Sequence, residues 1–197
     1  MQVTHPTTVI SGVVLPRRAV VTFALMVGFA LLTALAAQIS FRLPFTPVPI
    51  TGQTFAVLLT GAALGSWIGA GSQLLYVLLG AVGLPFYASG TGGWEVTTGA
   101  TFGYLMGFIV AAWVVGYLAE RKQDRRVWSA VPAFLTGSVV IYLFGVTWLY
   151  YGFEPIATWE GALVAGMVPF IPGDLLKVIL AGVTLPLAWQ MVGRGTR

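Results

Sequence analysis

The 197-residue sequence has no cysteine, one histidine and few charged side chains. The absence of cysteine excludes disulfides, thiolate metal ligands and a thiol nucleophile. The single histidine, His5, lies in a polar N-terminal segment, which excludes Ser-His-Asp catalysis and a multi-histidine metal site. Charged residues make up 8% of the chain, against about 25% in soluble domains. These charges are too few to solvate the surface of an ordinary soluble domain.

The composition that remains is strongly apolar, since 57% of the residues are hydrophobic. This excludes disorder and indicates an integral membrane protein. The net charge of +4 does not indicate a nucleic-acid partner, because the ten basic residues are scattered and form no basic stripe.

Long uncharged stretches divide the chain into candidate spans of about 20 residues. Charge is absent from residues 19–41, 43–94, 96–119 and 127–153. The second stretch is long enough for two spans, with a break expected at the small residues 65–71. A last apolar stretch, 162–192, contains Asp174 and Lys177. The sequence therefore predicts an all-α, polytopic membrane protein with a bundle of six transmembrane helices. Their expected ranges are about 19–38, 53–67, 70–87, 98–119, 128–150 and 169–192.

Basic residues predict the orientation of this bundle. If both termini are cytoplasmic, the internal segments hold Arg17, Arg18, Arg121, Lys122, Arg125, Arg126, Arg194 and Arg197. The external loops then hold only Arg42, in agreement with the positive-inside rule. We expect residues 1–18 and 193–197 to be cytoplasmic tails and residues 19–192 to form the transmembrane domain.

The N-terminal segment has a second interpretation. Arg17 and Arg18, followed by an apolar run and by Ala34-Leu35-Ala36, resemble a cleavable signal peptide. The apolar run is longer than the usual ~7–15 residues of such a signal. A retained first span is therefore favoured over cleavage.

Two external loops have unusual compositions. Residues 41–54 carry three prolines among apolar residues, which predicts a stiff, extended strap packed against the helices. At its end, Thr51, Gln53 and Thr54 supply hydrogen-bonding groups; the alternative for Thr51 is a helix cap. Residues 87–97 are rich in glycine and form either a flexible lid over a pocket or a plain connector. No Gly-Lys-Ser/Thr follows, which excludes a P-loop.

Asp174 and Lys177 are the only charged residues within a predicted span. An acid in the first turn after Pro172 also interacts favourably with the helix dipole, but this does not explain Lys177. The two residues project from one helical face, and ionisable side chains in a membrane usually face a cavity or partner. We predict a polar anchor in an outward-opening pocket for an anionic or amide-bearing ligand. The alternatives are snorkelling of Lys177 and, less favoured, a proton relay.

Small residues at four-residue spacing mark helix contacts. Ala30 and Ala34 form such a pair in the first predicted span, and Gly61 and Gly65 form another in the second. Internal packing explains both pairs. A second hypothesis for Ala30 and Ala34 is an interface with a separate membrane subunit.

Several motifs, taken in order, resemble one known family. They are Val48-Pro49-Ile50-Thr51-Gly52-Gln53-Thr54, Ser72-Gln73-Leu74-Leu75-Tyr76, Gly80-Ala81-Val82-Gly83-Leu84-Pro85, Gly103-Tyr104-Leu105, Gly116-Tyr117-Leu118-Ala119-Glu120-Arg121, Ile141-Tyr142-Leu143 and Pro172-Gly173-Asp174-Leu175-Leu176-Lys177. Over about residues 19–192 the chain resembles the biotin-specific substrate-binding subunits (S components) of energy-coupling factor transporters, the BioY family. It departs from the family pattern at Gly52, Ala100 and Phe102.

The resemblance implies a six-helix protein of the cytoplasmic (inner) membrane that captures biotin from outside with high affinity. It also implies a transmembrane coupling subunit and two cytoplasmic ATPases as partners, with Ala30 and Ala34 on the docking surface. No cofactor is expected beyond biotin, the transported ligand.

The same resemblance suggests roles for residues in a biotin pocket. Asp174 would accept hydrogen bonds from the ureido N–H groups, and Lys177 would donate hydrogen bonds or pair with the carboxylate. Further hydrogen bonds are expected from Thr51, Gln53 and Tyr104, and cover of the apolar body from Phe45, Trp94 and Trp148.

Other functions are weighed against this one. A stand-alone secondary carrier would also use a charged pair within the membrane, and an S component for another vitamin would share the fold. An enzyme is disfavoured, because the sequence lacks the histidine, cysteine and paired intramembrane acids that hydrolytic chemistry would use.

Overall fold

The computed structural model describes residues 9–11, 19–156 and 158–195. Within these ranges the elements are α1 (Ala19–Gln38), β1 (Ser40–Phe41), β2 (Ile50–Thr51), α2 (Gln53–Leu64), α3 (Ser66–Ala81), α4 (Trp94–Thr97), α5 (Phe102–Glu120), α6 (Val127–Tyr151), α7 (Trp159–Gly166) and α8 (Ile171–Gly195). Short 3-10 turns lie at Ala88–Gly90 and Val168–Phe170. His5, Arg17, Arg18 and Arg197 lie outside the described residues, and so does most of the predicted N-terminal tail.

The fold is mostly helical, and in the described part of the chain four helical segments are long and apolar enough to cross a membrane. They are Ala19–Gln38, Phe102–Glu120, Val127–Tyr151 and the combined stretch Trp159–Met191. The helix α2, Gln53–Leu64, is apolar but shorter. A multi-pass membrane protein is the class that this architecture supports.

Helix α1 turns its small residues toward the protein. Ala30, Thr33, Ala34 and Ala37 are buried, whereas large apolar residues such as Phe23 and Leu35 are exposed. In a membrane, large apolar side chains are stable against lipid, and small residues allow helices to pack closely. The lipid-facing and protein-facing sides of α1 are thus distinguished by side-chain size.

Helix α5 lies at the centre of the bundle, where it packs against α2, α3 and α6. One buried apolar cluster includes Tyr76, Tyr104 and Phe108, and a second includes Leu58, Phe134 and Leu185. The first cluster surrounds the end of the bundle where the candidate site lies.

The break between α2 and α3 is sharper than predicted. It consists of Gly65 alone, at φ +85°, in the left-handed region that glycine adopts without strain. The carboxylate of Glu120 then accepts hydrogen bonds from the backbone N–H of Ser66 (2.8 Å) and from its hydroxyl (2.9 Å). Because this carboxylate satisfies the first N–H group of α3, the helix restarts at once.

The strap, residues 41–54, is not extended throughout as predicted, because it folds back on itself at a turn where the Thr46 N–H donates to the carbonyl of Leu43 at 3.4 Å, and its last residues already belong to α2. Strands β1 and β2 pair antiparallel, with Ser40 opposite Thr51. Between them, the Thr46 hydroxyl donates to the carbonyl of Ala165 at 2.6 Å. At Gly52, a methyl group would lie 2.8 Å from the carbonyl oxygen of Ala36, so glycine allows the strap to approach α1 closely.

Several helix boundaries differ from the predicted ranges. Helix α3 ends at Ala81 rather than near residue 87, since Gly83 adopts φ +106° and Pro85 follows. The short helix α4 precedes α5, which begins at Phe102. Helix α7 was not predicted, because the apolar composition after residue 162 reads as continuous with α8.

Candidate functional site

A cavity of about 260 Å³ lies at the end of the bundle beneath the strap. Its walls come from the strap, the segment 87–101, helices α5 and α6, and the first turns of α8. Its apolar lining includes Val48, Val96, Leu105, Phe108, Ile141 and Phe170. Its size is close to the lower end of the roughly 300–1,000 Å³ typical of small-molecule pockets.

Asp174 is the central acceptor of this cavity. Its Oδ1 accepts a hydrogen bond from the Thr54 hydroxyl at 3.1 Å, and its Oδ2 accepts one from the Tyr142 hydroxyl at 2.5 Å. The residue is only 7% exposed, so these donors replace the water that an ionised carboxylate would otherwise bind. Donors from three helices, α2, α6 and α8 itself, meet at this carboxylate.

Lys177 completes the polar group. Its Nζ lies 2.6 Å from Oδ1 of Asp174 and donates to the Thr54 hydroxyl at 3.1 Å. The two ionised groups therefore neutralise one another within the protein. The prediction that Asp174 and Lys177 share one helical face is confirmed, and Lys177 points to Asp174 rather than snorkelling away from it.

Thr51 and Gln53 line the same cavity and form a second polar chain. The Thr51 hydroxyl donates to Oε1 of Gln53 at 2.8 Å, and Nε2 of Gln53 donates to the Tyr76 hydroxyl at 2.5 Å. Tyr76 in turn donates to the carbonyl of Phe86 at 3.3 Å. The chain links the strap to the loop after α3, so both residues have a structural role in addition to their place in the wall.

Tyr104 lines the cavity from α5. Its hydroxyl donates to the carbonyl of Gly166 at 2.7 Å, at the end of α7. Because α7 ends there, this carbonyl lacks a helical partner. Tyr104 therefore supports the break between α7 and α8, and the break places the first turn of α8 at the cavity.

The glycine-rich segment is tied to the helices rather than free. The Tyr87 hydroxyl donates to the carbonyl of Val77 at 2.8 Å and lies 3.0 Å from the Thr97 hydroxyl. Burial raises the pKa of Tyr87, which outweighs the lowering effect of the Thr97 contact. The hydroxyl thus stays neutral at physiological pH, as its hydrogen bond to Val77 requires. Gln38 fixes the same segment through the carbonyls of Pro85 and Tyr87.

Three of the predicted apolar contacts lie outside the cavity wall. Phe45 and Trp94 are 63% and 70% exposed, and neither lines the cavity. Trp148 lies in a separate outer groove with Phe102 and reaches the cavity only indirectly, by donating to the carbonyl of Gly99 at 2.9 Å. The structure thus brings together Asp174, Lys177, Thr51, Gln53 and Tyr104, but not the three aromatic residues.

Ala30 and Ala34 are buried inside the chain itself, at 0% and 6% exposure. Between them, Thr33 accepts a hydrogen bond from Gln73 of α3 at 3.1 Å. Neither alanine offers the exposed surface that docking of another subunit requires. Internal packing, the first interpretation of this pair, describes their position.

Several polar wall residues had no predicted ligand role: Arg42, Tyr87, Thr91, Thr101 and Tyr142, whereas Thr54 was expected only to supply a hydrogen-bonding group beside Thr51 and Gln53. Thr54 and Tyr142 belong to motifs that sequence analysis singled out, and the signal available was a polar side chain in an apolar span. Two residues near the start of α5 depart from the family pattern. Ala100 lines the cavity, whereas Phe102 packs against Trp148 outside it. Nothing local in the sequence shows which of these side chains turn inward.

A helical multi-pass membrane protein with a polar group at the end of an apolar pocket defines a class: membrane proteins that bind small molecules. The BioY family model matches residues 7–194. The biotin transporter BioY of Rhodobacter capsulatus is 42% identical over 163 residues, which cover 78% of this chain and 84% of the relative. That of Thermotoga maritima is 40% identical and covers 78% of this chain and 86% of the relative.

A solved structure has the same fold. It is the crystal structure of the S-component for biotin from an ECF-type ABC transporter, with a TM-score of 0.78 and 24% identity over 87% of this chain and 92% of that one. Together with the family match, the comparisons show that this chain belongs to the BioY family, as its motifs indicated.

Proposed function

We propose that this chain binds biotin with high affinity and serves as the substrate-specific subunit in its uptake by an energy-coupling factor transporter. The observation that carries the proposal is the Asp174–Lys177–Tyr142–Thr54 group at the wall of a mostly apolar cavity. Biotin presents matching chemistry: ureido N–H donors, an apolar ring body and a carboxylate. Relatives at about 40% identity bear the name biotin transporter, which supports both the ligand and a transport function rather than an enzymatic one.

The membrane arrangement is part of the proposal. We assign six spans by adding α2 and α3 to the four long segments, with residues 1–18 and 193–197 as cytoplasmic tails. The basic residues Arg121, Lys122 and Arg126 lie in the connection between α5 and α6, which favours a cytoplasmic position for that end. The cavity then opens to the outside of the cytoplasmic membrane, where the substrate is captured.

We further propose that the partners are a transmembrane coupling subunit and two cytoplasmic ATPases, and that the chain needs no cofactor of its own. The sequence contains no ATP-binding motif, so the energy for uptake would come from these partners. The solved S-component with the same fold belongs to an ECF-type ABC transporter, which supports this kind of partner.

Calorimetric titration of the purified protein with biotin tests the binding function. We expect saturable binding of one biotin with submicromolar affinity and no binding of thiamine or riboflavin at the same concentrations. Uptake into vesicles then tests the transport function, with the chain alone and with the coupling subunit, ATPases and ATP. ATP-dependent uptake supports the proposal, whereas concentrative uptake by the chain alone indicates a secondary carrier.

A further inference from the structure

The charges of the side chains that line the cavity do not cancel. Among the lining residues that the structure describes, three are charged: Arg42, Asp174 and Lys177. The Asp174–Lys177 ion pair at 2.6 Å leaves no net charge on these two groups. The wall therefore carries one uncompensated positive charge, which belongs to Arg42.

Lys177 is already engaged. Its ammonium contacts Asp174 and the Thr54 hydroxyl. A ligand carboxylate placed beside Lys177 would bring a second negative group next to Asp174 and share one ammonium between two carboxylates, which is unfavourable in a partly dehydrated site. The Asp174 end of the cavity instead suits a neutral group with N–H donors.

The surroundings of Arg42 differ from those of Lys177. It follows strand β1 in the strap, is exposed, and faces the cavity from its mouth. Its side chain makes no hydrogen bond or ion pair with any residue that the structure describes. A guanidinium presents a planar pair of donors that matches a carboxylate, and this one is available.

We propose that Arg42 recognises the carboxylate of the ligand at the mouth of the cavity, while the ureido end lies against Asp174. This inference rests on the proposed biotin function and adds the orientation of the ligand and the residue that selects its acidic end. It predicts discrimination between biotin and its neutral carboxamide, biotinamide, which differ only at that end.

The test measures the affinities of wild type, Arg42→Gln and Arg42→Lys for biotin and for biotinamide by calorimetry. Wild type should prefer biotin by roughly tenfold or more, as expected for a hydrogen-bonded charge pair. Arg42→Gln should lose this preference through weaker biotin binding, with biotinamide affinity unchanged. Arg42→Lys should keep part of it, and the wild-type preference should shrink as salt is raised, because the mouth is exposed.

Two further variants separate the possible explanations. Arg126→Gln removes an exposed cation far from the cavity and should retain the wild-type preference. Lys177→Gln should weaken the binding of both ligands by a similar factor and so preserve the ratio of their affinities.

The inference is overturned if Arg42→Gln still discriminates between biotin and biotinamide, or if Lys177→Gln alone abolishes this discrimination. Failure of wild type to bind either ligand would overturn the proposed function itself, whereas equal binding of both would overturn only the role of Arg42.

Discussion

Two buried aspartates lie in contrasting parts of the molecule. Asp174 is 7% exposed and Asp124 is 2% exposed. Asp174 lines the cavity and accepts from Thr54, Tyr142 and Lys177. Asp124 lies in the connection between α5 and α6, outside the cavity wall, where it accepts a hydrogen bond from the indole of Trp189 in α8.

The difference shows that burial of an acid does not by itself identify a binding site. The guanidinium of Arg125 stacks over the Trp189 ring at 4.3 Å, so the contacts around Asp124 join a loop to a helix. The donors around Asp174 converge from three helices beside an open volume. We infer that Asp124 serves the fold and Asp174 serves binding, and matched substitutions can separate these roles.

The largest expected effect is that of Asp174→Asn on biotin binding. The amide has nearly the same shape, but it removes the charge that compensates Lys177 and turns one acceptor into a donor. Loss of one partner of a buried ion pair costs about 3–5 kcal/mol. If only part of this cost falls on the biotin-bound state, the affinity for biotin is still expected to weaken roughly 100-fold. Calorimetric titration with biotin measures the change.

Asp124→Asn is the matched control for that substitution. It makes the same chemical change at an aspartate that is equally buried but outside the cavity. Its biotin affinity should equal that of wild type. Equal weakening by both substitutions would show that the binding effect of Asp174→Asn reflects general damage to the fold.

A smaller effect is expected for Tyr142→Phe, which removes one donor from Asp174 and leaves the ring in place. Loss of a single hydrogen bond should weaken biotin binding roughly 3- to 10-fold. The control is Tyr150→Phe, on the same helix but outside the cavity wall, where the ring stacks on Trp159. If Tyr150→Phe weakens binding as much as Tyr142→Phe, the hydroxyl of Tyr142 has no special role at Asp174.

Much of this contrast could be predicted from the sequence, because charge in an apolar span is rare and costly. Asp174 and Lys177 were predicted on that ground, and α1 was predicted with its observed bounds. The positive φ of Gly65 corresponds to a break that the small residues of 65–71 indicated. These are features that depend on composition over a short stretch of chain.

What could not be predicted depends on contacts between distant residues. Tyr142 meets Asp174 across 32 positions of sequence, and no local pattern shows that its hydroxyl turns inward. Trp148 was expected in the pocket because it is aromatic, but the packing of Phe102 places it in the outer groove. Helix α7 was missed because hydropathy does not distinguish a broken helix from a continuous one, and the break depends on the bonds from Thr46 and Tyr104.

The smallest expected effect concerns stability at the Asp124 end. Burial raises the pKa of Asp124, and this outweighs the lowering effects of the Trp189 hydrogen bond and of Arg125. The folded protein therefore holds this proton more tightly than the unfolded chain, whose carboxyl titrates near a pKa of about 4. Between these two pKa values the native state binds more protons, so the contribution of Asp124 to stability falls as the pH rises through that window.

Asp124→Asn does not titrate, so its melting temperature in detergent should improve relative to wild type by a few degrees at most between pH 4 and pH 7. A change in the opposite direction would mean that the hydrogen bond from Trp189 stabilises the ionised form more than burial destabilises it, and a constant difference would mean that the two effects balance.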